Sequence, residues 1–524
     1  MNHTLESQSQ EAVFALLADP ATHGGAKVKR IDTHAATVFL AGARAFKVKR
    51  AVRFPFLDYS TLDKRKAACE AELKVNQPFA ADIYRRVVAI TREPDGRLAL
   101  DGGGAPVEYA VEMRRFAEDA TLDRLADNGK IDAALADALA RAVAVAHAGA
   151  AAVAPEPWIK ALADYIEEHV TAFGETPALF PPAEIDALAR ASRAAYGRIH
   201  PLLVERGRHG LIRRIHGDLH LGNIVLLEGR PVLFDAIEFS PLIASGDVLY
   251  DLAFLLMDLT ERGLGASANI VLNRYLLETR RPEDLDALAA LPFFLSMRAA
   301  IRAKVTAARL AQADARERVA IDSSARKYFE WARRFVAPAP PVLVAVGGLS
   351  GTGKSVLASA LAPELGVAPG AVLLRSDVER KALLGRDEHD KLPDAAYTPE
   401  VTARVYAAII DKARRAIAAG HAAIVDAVFA QPDERRLVEQ CAAALGISFH
   451  GMFLDADLAT RVARVGTRSR DASDADAAVA RQQDSYDLGE LDWRRIDASG
   501  TPEQTLARVR TALGAASHPR RESR

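Results

Sequence analysis

Alternating apolar and polar positions in the first part of the chain predict a group of short strands. Strands are predicted within 36–50, on both sides of the Ala41-Gly42 turn, and at 87–93, 97–101 and 107–115. The charged stretch 63–76 predicts a helix among them. From 122 to 285 the spacing of Ala, Leu and Arg is helical. The pattern predicts a small strand-rich lobe followed by a larger helical lobe.

A different pattern follows the Pro-rich segment 337–341. Apolar runs at 342–346, 371–375, 422–425 and 448–454 alternate with amphipathic helices, which is typical of a doubly wound parallel sheet. Three prolines in four residues cannot continue a helix, so we place the main boundary at this segment. The predicted organisation is a domain at 1–336, a linker at 337–341, a second domain at 342–516 and a polar, disordered tail at 517–524.

Composition narrows the class of protein. The 524 residues include 68 Lys and Arg against 69 Asp and Glu, and a formal charge of −1 argues against bulk electrostatic binding to nucleic acid or membranes. Cys69 and Cys441 cannot build a disulfide framework, which suits a reducing compartment. No apolar run reaches the roughly 18 residues that span a bilayer, and no secretory signal is visible. We expect a cytoplasmic enzyme or binding protein, and the oligomeric state stays open.

A phosphate-binding motif opens the second block. The sequence GLSGTGKS matches G-x-x-x-x-G-K-[ST] and follows an apolar run. Its glycines let backbone N–H groups surround a phosphate, Lys354 reaches the β- and γ-oxygens, and Ser355 ligates Mg²⁺. The candidate nucleotide-binding residues are Gly348, Leu349, Ser350, Gly351, Thr352, Gly353, Lys354 and Ser355.

The rest of this block resembles the small P-loop kinases related to gluconate kinase, zeta toxin and the polynucleotide kinase domain. The resemblance implies that Asp377 is the base facing the acceptor hydroxyl, and that Asp426, after the strand-like run 423–425, lies close to Mg²⁺. It also implies that Arg464 and Arg468 are lid arginines that close over the transferring phosphate. Two plainer interpretations stay open: Asp377 as a helix N-cap, and the arginines as a solvated helix face.

The first block carries a second phosphate-transfer motif. The sequence IHGDLHLGN at 215–223 has the spacing of the kinase catalytic loop, with Gly217 in place of arginine. In that arrangement Asp218 accepts the proton of the attacking hydroxyl and Asn223 holds Mg²⁺. An apolar run then ends in Asp235, twelve residues past Asn223, where the second metal-binding aspartate belongs.

These residues resemble the aminoglycoside phosphotransferase family, which shares the protein-kinase fold. The resemblance implies that Lys47 holds the α- and β-phosphates and that Met113 lies on the strand that receives adenine. It also implies that Glu72 is the ion-pair partner of Lys47, with Glu70 as the second choice. Lys49 points to the same face as Lys47. The glycine-rich lid of protein kinases is missing from 32–36.

The fold class predicted for the whole chain is two-domain, α+β then α/β: a bilobal protein-kinase-like domain followed by a P-loop domain with a doubly wound parallel sheet. Such fusions resemble bifunctional phosphotransferase/ATP-binding proteins. We expect an ATP- and Mg²⁺-dependent kinase with two nucleotide sites that acts on hydroxyls of small molecules. One alternative is that the first block is a non-catalytic ligand-binding regulator of the second. A P-loop ATPase that handles nucleic-acid ends is a weaker one.

Overall fold

The computed structural model describes residues 2–54, 57–337, 339–466 and 472–514. Internal contacts divide the chain into two compact units. The first unit comprises residues 1–175 and 196–262, and the second comprises residues 176–195 and 263–524. Across these described ranges, no helix is both long and apolar enough to cross a membrane.

The first unit begins with a sheet flanked by two helices. Its elements are α1 (Asn2–Ala18), β1 (Val28–Asp32), β2 (Ala36–Ala41), β3 (Arg44–Lys49), β4 (Arg53–Phe54), β5 (Leu57–Asp58), α2 (Leu62–Ala80), β6 (Tyr84–Arg92), β7 (Leu98–Leu100) and β8 (Ala105–Arg114). Six strands form an antiparallel sheet in the order β1-β2-β3-β8-β6-β7. The strands and the helix predicted for this lobe are confirmed.

Both faces of this sheet are buried. Phe14 and Leu17 of α1 pack with Phe39 and Phe46 in one apolar cluster. The other cluster contains Cys69 of α2 together with buried residues of β3, β6 and β8. Helix α1 covers one face of the sheet and α2 the other, so β2 and β3 have apolar residues on both faces. The alternation of apolar and polar residues that is typical of a half-exposed strand is therefore weak in them.

The rest of the first unit is mainly helical. Its elements are α3 (Leu122–Asp127), α4 (Ala133–Gly149), α5 (Pro155–Gly174), α6 (Pro182–Arg208), β9 (Ile212–Arg214), β10 (Ile224–Leu227), β11 (Arg230–Leu233), β12 (Ser245–Asp247) and α7 (Val248–Glu261). Helix α6 passes from one compact unit to the other after residue 195. The short pairs β10–β11 and β9–β12 are antiparallel and flank the loop 215–223. Four residues or fewer per strand left little periodic signal in the sequence.

The second unit contains the first part of α6 and, from residue 263 onward, four α-helices followed by a parallel sheet with its own helices. Its elements are α8 (Gly265–Thr279), α9 (Pro282–Asp286), α10 (Leu291–Ala308), α11 (Ala315–Phe335), β13 (Val342–Gly348), α12 (Lys354–Leu361), β14 (Val372–Arg375), α13 (Ser376–Leu383), α14 (Pro399–Ala418), β15 (Ala423–Asp426), α15 (Pro432–Leu445), β16 (Ser448–Asp455), α16 (Leu458–Gly466), α17 (Ala477–Gln483), β17 (Arg494–Asp497) and α18 (Pro502–Ala512).

The sheet of the second unit has the order β14-β15-β13-β16-β17, and its pairings are all parallel. The predicted doubly wound sheet is confirmed, with its four predicted strands. Strand β17 was not predicted, because Ile496 is its one buried residue and its sequence is otherwise charged. In a parallel sheet the carboxyl ends of β13, β14 and β15 meet at one edge, which is where ligands bind in this architecture.

The compact units are divided elsewhere than at the Pro-rich segment. Helices α8 to α11 precede 337–341 in the chain, yet they group with the parallel sheet. The Pro-rich segment marks where the helical sequence pattern ends, whereas compactness depends on side-chain contacts that sequence periodicity does not report. The boundary at 337–341, between a kinase-like domain and a P-loop domain, therefore stays a prediction. Pro338 and the predicted tail 517–524 lie outside the described residues.

Candidate active sites

A partly buried lysine and two carboxylates form the centre of the first site, which we define as Lys47, Glu72, Asp218, Asn223 and Asp235. The Lys47 Nζ atom lies 2.8 Å from Glu72 Oε1 and 2.6 Å from Asp235 Oδ1. Burial disfavours its charge, but the carboxylates of Asp235 and Glu72 more than compensate and raise the pKa of Lys47 well above its usual value. Three residues far apart in sequence, on β3, α2 and the segment after β11, thus meet in one place.

A second lysine shares the same glutamate. Lys49, two positions along β3, has its Nζ atom 2.6 Å from Glu72 Oε2 and is also paired with Glu238. The Tyr59 hydroxyl donates a hydrogen bond of 2.8 Å to the Glu238 carboxylate. The alternation of β3 places both lysines on one face, as the sequence indicated, but Glu238 and Tyr59 had no motif that could identify them.

The loop that carries Asp218 is held by two aspartates of α7. The N–H groups of His216 and Gly217 donate to the Asp251 carboxylate at 2.9 and 3.0 Å. The N–H of Leu221 donates to Asp258 at 2.9 Å. Gly217 has φ +84°, and a Cβ there would lie 3.2–3.3 Å from neighbouring atoms, so a glycine suits this position. The loop is therefore fixed by its backbone.

Asp218 and Asn223 face each other across this loop. The Asn223 side-chain amide donates to the backbone oxygen of Asp218 at 2.9 Å and to its carboxylate at 3.0 Å. The Phe234 N–H donates to the backbone oxygen of Asn223 at 3.0 Å, which joins the loop to the residue before Asp235. Asp235 itself has φ +62°, a conformation that Asp adopts more readily than most residues. Oxygen donors suited to Mg²⁺ thus lie on adjoining segments.

Two other features of the first unit bear on its predicted site. Met113 is buried on β8, opposite Ala45 of β3 and Tyr84 of β6. The turn 32–36, where protein kinases have glycines, is closed instead by side chains: Thr33 Oγ1 donates to the Ala36 oxygen at 2.9 Å, and the Thr37 hydroxyl donates to Asp32 at 2.9 Å. The adenine role of Met113 stays a prediction.

The second site is the phosphate loop 348–355 with Asp377 and Asp426. The loop joins β13 to α12, whose first residue is Lys354. A Cβ at Gly351, which has φ +88°, would lie 2.4 Å from the Arg461 backbone oxygen, so the loop needs a glycine there. Lys354 Nζ donates to the Leu349 oxygen at 3.2 Å. The sequence GLSGTGKS thus forms a turn at a helix N-terminus, with the geometry that receives phosphate.

An arginine and an acid flank this loop at the carboxyl ends of neighbouring strands. Arg375 ends β14 and Asp426 ends β15, and the two residues are register partners. The Arg375 guanidinium lies 3.5 Å from Asp426 Oδ2, and it donates to the Ser355 hydroxyl at 3.2 Å. Sequence reasoning missed Arg375, although its place at a strand end beside the phosphate loop was a usable signal.

Asp377 lies in the first turn of α13. The N-cap position of that helix is Arg375, so the Asp377 carboxylate is inside the helix and does not occupy the cap position. Burial raises the pKa of Asp377 and the nearby Asp426 raises it further, while Lys354, Arg375 and a hydrogen bond with Ser473 act in the opposite direction. Three of these residues, Asp426, Lys354 and Ser473, act on Asp377 from other segments of the chain, which the N-cap interpretation did not require.

The predicted lid arginines are only partly described. Arg464 donates to the backbone oxygens of Ala498 and Gly500 at 2.8 and 2.7 Å. It lines a cavity of about 260 Å³ together with residues of the phosphate loop, α12 and α18, which are Gly351, Thr352, Gly353, Val356, Leu357, Ala498, Gly500, Pro502 and Thr505. Arg468 lies among residues 467–471, outside the described part of the chain. The lid role of both arginines stays a prediction.

Comparisons with known proteins match the two parts of the chain that carry the two sites to two different families. A model of the phosphotransferase enzyme family matches residues 66–291, and a model described as AAA domain matches residues 343–488. The uncharacterized proteins Rv2004c of Mycobacterium tuberculosis and Mb2027c of Mycobacterium bovis are each 28% identical to this chain over 508 residues, which is 91% of this chain and 94% of theirs.

Solved structures resemble each part at low identity. A choline/ethanolamine kinase family protein from Mesorhizobium loti is 15% identical, covering 63% of this chain and 98% of its own, with a TM-score of 0.37. A gluconokinase from Sinorhizobium meliloti is 20% identical, covering 34% of this chain and 98% of its own, with a TM-score of 0.24. Neither likeness bears on the substrate. The family matches show that this chain joins a domain of the phosphotransferase enzyme family to a P-loop, kinase-like domain.

Proposed function

We propose that this protein is an ATP- and Mg²⁺-dependent phosphotransferase with two nucleotide sites, which transfers the γ-phosphoryl group to hydroxyls of small molecules. One observation carries the proposal: each unit supplies the same chemical set. In the first unit the set is Lys47, Asp218 and Asp235; in the second it is Lys354, Asp377 and Asp426. Each contains a cation for phosphate oxygens, a carboxylate to take a proton, and an oxygen donor for a metal.

In the first site, Asp218 accepts the proton of the attacking hydroxyl. Its carboxylate accepts a hydrogen bond of 3.0 Å from the Asn223 side-chain amide. The Asp218 side chain is 41% exposed, so an acceptor can reach it. Lys47 neutralises phosphate charge, and its ion pair with Glu72 sets where its ammonium group points. The hydrogen bonds that the loop N–H groups of His216 and Gly217 donate to the Asp251 carboxylate hold the loop in place when the substrate binds.

In the second site, Asp377 is the proton acceptor and the phosphate loop holds the nucleotide. Burial makes the Asp377 carboxylate more basic, which favours proton transfer as long as the group stays ionised. Lys354 and Arg375 place positive charge beside Ser355, where negative charge develops on the γ-phosphoryl oxygens. We assign the cavity beside Arg464 and Pro502 to the nucleoside part of ATP.

Magnesium suits the donors that both sites present. Asn223 and Asp235 would hold it in the first site, and Ser355 and Asp426 in the second; these are hard oxygen ligands of the kind that Mg²⁺ shares with nucleotide phosphates. When bound, the ion screens the phosphate charge and orients the triphosphate.

A labelling experiment tests the proposal. The full chain is incubated with γ-labelled ATP and a fractionated metabolite extract, beside Asp218→Asn and Lys354→Ala variants. We expect labelled products of two kinds, one lost with each substitution. Asp377→Asn should lose the same product as Lys354→Ala while keeping ATP binding. If every label persists in all three variants, both assignments are wrong.

The turn 32–36 favours a second candidate for the first unit alone. Because it is closed by Thr33 and Thr37 and has no glycines, the first unit lacks the flexible phosphate cover of protein kinases. The unit would then bind a ligand without chemistry and regulate the P-loop kinase. In that case Asp218→Asn would change no labelled product.

A further inference from the structure

Asp474 joins three separate parts of the chain beside the second site. Its carboxylate accepts hydrogen bonds from Lys381 Nζ at 3.0 Å, from the Leu392 N–H at 3.0 Å and from the Tyr397 hydroxyl at 2.6 Å. Lys381 is on α13, and the other two donors lie in the segment 386–397, which we call the acceptor loop. Ser473, the residue before Asp474, forms the hydrogen bond with Asp377. The acceptor loop is thus linked to the proposed base.

The acceptor loop is also tied to helix α8. Arg274 of α8 forms a two-pronged ion pair with Glu388, with N–O distances of 2.6 and 3.2 Å. The two side chains retain 16% and 13% of their exposure, so water screens this pair only partly. Lys381 Nζ, which holds Asp474, also donates to the Glu388 backbone oxygen at 3.0 Å. A continuous polar path therefore runs from Arg274 to Asp474.

Helix α8 is itself fixed to the parallel sheet. The side-chain amides of Asn269 and Asn273 donate to the Ala371 oxygen at 3.0 and 3.1 Å, and the Leu373 N–H donates to the Asn273 oxygen at 2.7 Å. Strand β14 ends two residues before Asp377. Because α8 is bonded to β14 and to the acceptor loop, it sets the position of that loop relative to the phosphate-binding edge of the sheet.

We propose that α8 is a positioning element of the second site: Arg274, acting through Glu388, Lys381 and Asp474, holds the acceptor loop and Ser473 in the arrangement that aligns Asp377. The inference rests on the proposed function of that site. Helix α8 falls within residues 66–291, the match to the phosphotransferase enzyme family, so the P-loop kinase uses a helix that sequence comparison assigns to the other domain.

A charge-reversal experiment on the full chain tests this role. The variants are Arg274→Glu, Glu388→Arg and the double exchange, each in an Asp218→Asn background that silences the first site. The matched control is Arg415→Ala, which removes an ion pair of 2.9 Å between α14 and Asp286 in the same unit and is not part of the path to Asp474. The readouts are hydrogen exchange of 386–397 and phosphate release from ATP with water as acceptor.

We expect each single reversal to speed amide exchange in 386–397 by about tenfold, because a charged pair is replaced by repulsion. The kcat of phosphate release should fall while the KM for ATP stays, since the phosphate loop is untouched. The double exchange should restore both readouts, and a general loss of folding would not be restored. Arg415→Ala should leave the acceptor loop unchanged.

Two results would overturn the proposal. One is unchanged exchange in 386–397 when Arg274 is reversed; the other is an equal change in Arg415→Ala, which would indicate general loosening. A Lys354→Ala variant separates this failure from failure of the proposed function. If Lys354→Ala releases phosphate normally, the second site is not the kinase site, whereas the exchange data still decide whether α8 holds the loop.

Discussion

Lys47 in the first site lies between the carboxylates of Asp235 and Glu72, whereas Lys354 in the second lies against the backbone oxygen of Leu349. The first arrangement joins the fully buried Glu72 carboxylate, the partly buried Lys47 ammonium group and the more exposed Asp235 carboxylate, which come from distant segments. The second is a local turn whose backbone supplies the binding geometry. In the first site, therefore, the residues proposed for catalysis also stabilise the fold. In the second, the phosphate-binding groups are mainly backbone N–H groups, so we expect replacement of Lys354 to cost less stability than replacement of Lys47.

The largest expected effect concerns chemistry in the first site. Asp218→Asn should lower turnover there by about 10²- to 10⁴-fold, because an amide cannot take the proton of the acceptor. ATP affinity should stay close to that of the parent, since Lys47 and Asp235 are unchanged. The measurement is transfer of label from γ-labelled ATP to the product of that site. Normal turnover in this variant would remove Asp218 from the mechanism.

The next effect tests the comparison directly. Lys47→Met leaves the carboxylates of Asp235 and Glu72 without their shared cation, and we expect a loss of roughly 1–3 kcal/mol of unfolding free energy. The loss is limited because Glu72 keeps Lys49 and Asp235 can be rehydrated. Lys354→Met should cost less, about 1 kcal/mol or less, because Arg375 and Ser473 still stabilise the charged form of Asp377. The same substitution should weaken ATP binding. Urea unfolding and nucleotide titration of both variants measure the two effects. Equal destabilisation by both would contradict the contrast drawn above.

A smaller effect concerns the pH dependence of stability, and it comes from a buried neutral ring in contrast to the paired charges of the first site. His421 in the second unit is fully buried, and burial lowers its pKa to about 4, with the backbone of Leu288 and Gly370 opposing part of the shift. Between the unfolded pKa of about 6.5 and this value, the unfolded chain binds a proton that the folded chain does not. The stability contributed by neutral His421 is therefore complete above about pH 6.5 and decreases as the pH falls toward 4.

The expected slope is at most about 1.4 kcal/mol per pH unit. Thermal unfolding from pH 7 to 4.5 should show it in the second unit, and His421→Gln should flatten it. The control is His389→Gln, because that ring is half exposed. An unchanged pH dependence in His421→Gln would mean that other groups control acid stability.

The smallest effect is one of stoichiometry. Calorimetric titration of the full chain with Mg-ATP should give two nucleotides per chain, and Lys354→Ala should reduce this to one. One nucleotide per chain, reduced to none by Lys354→Ala, would mean that the kinase-like unit binds no nucleotide.

Local motifs made much of both sites predictable. The phosphate loop, the strand ends that present Asp426 and the loop from Asp218 to Asn223 depend on short stretches of sequence, and their secondary structure is as expected. The pairing of Lys47 with Glu72 followed from family resemblance. Glu238, Tyr59 and Asp474 could not be predicted, because their contacts join segments far apart in the chain and carry no spacing rule. Arg375 was missed although its place at the end of a strand was a usable signal.

The division into compact units was likewise beyond the sequence. The Pro-rich segment 337–341 does mark a change from a helical pattern to alternating strands and helices, but it does not mark the division between the units. The grouping of α8 with the sheet depends instead on hydrogen bonds from Asn269 and Asn273 to residues at the start of β14, roughly a hundred residues later in the chain. Periodicity in the sequence does not report such contacts.

The asparagines of α8 also bear on one edge of the parallel sheet. Within the described residues, β14 is an outer strand of the parallel sheet, and its outward backbone groups at Ala371 and Leu373 are occupied by side-chain amides. An outer strand with free backbone groups is a template for strand pairing between molecules. Helix α8 therefore protects this edge from self-association, and a P-loop fragment that begins at residue 342 would expose it. Any attempt to use the second domain alone, as a tool or in a fusion, should keep α8, and it should take into account that residues 176–195 belong to the same compact unit.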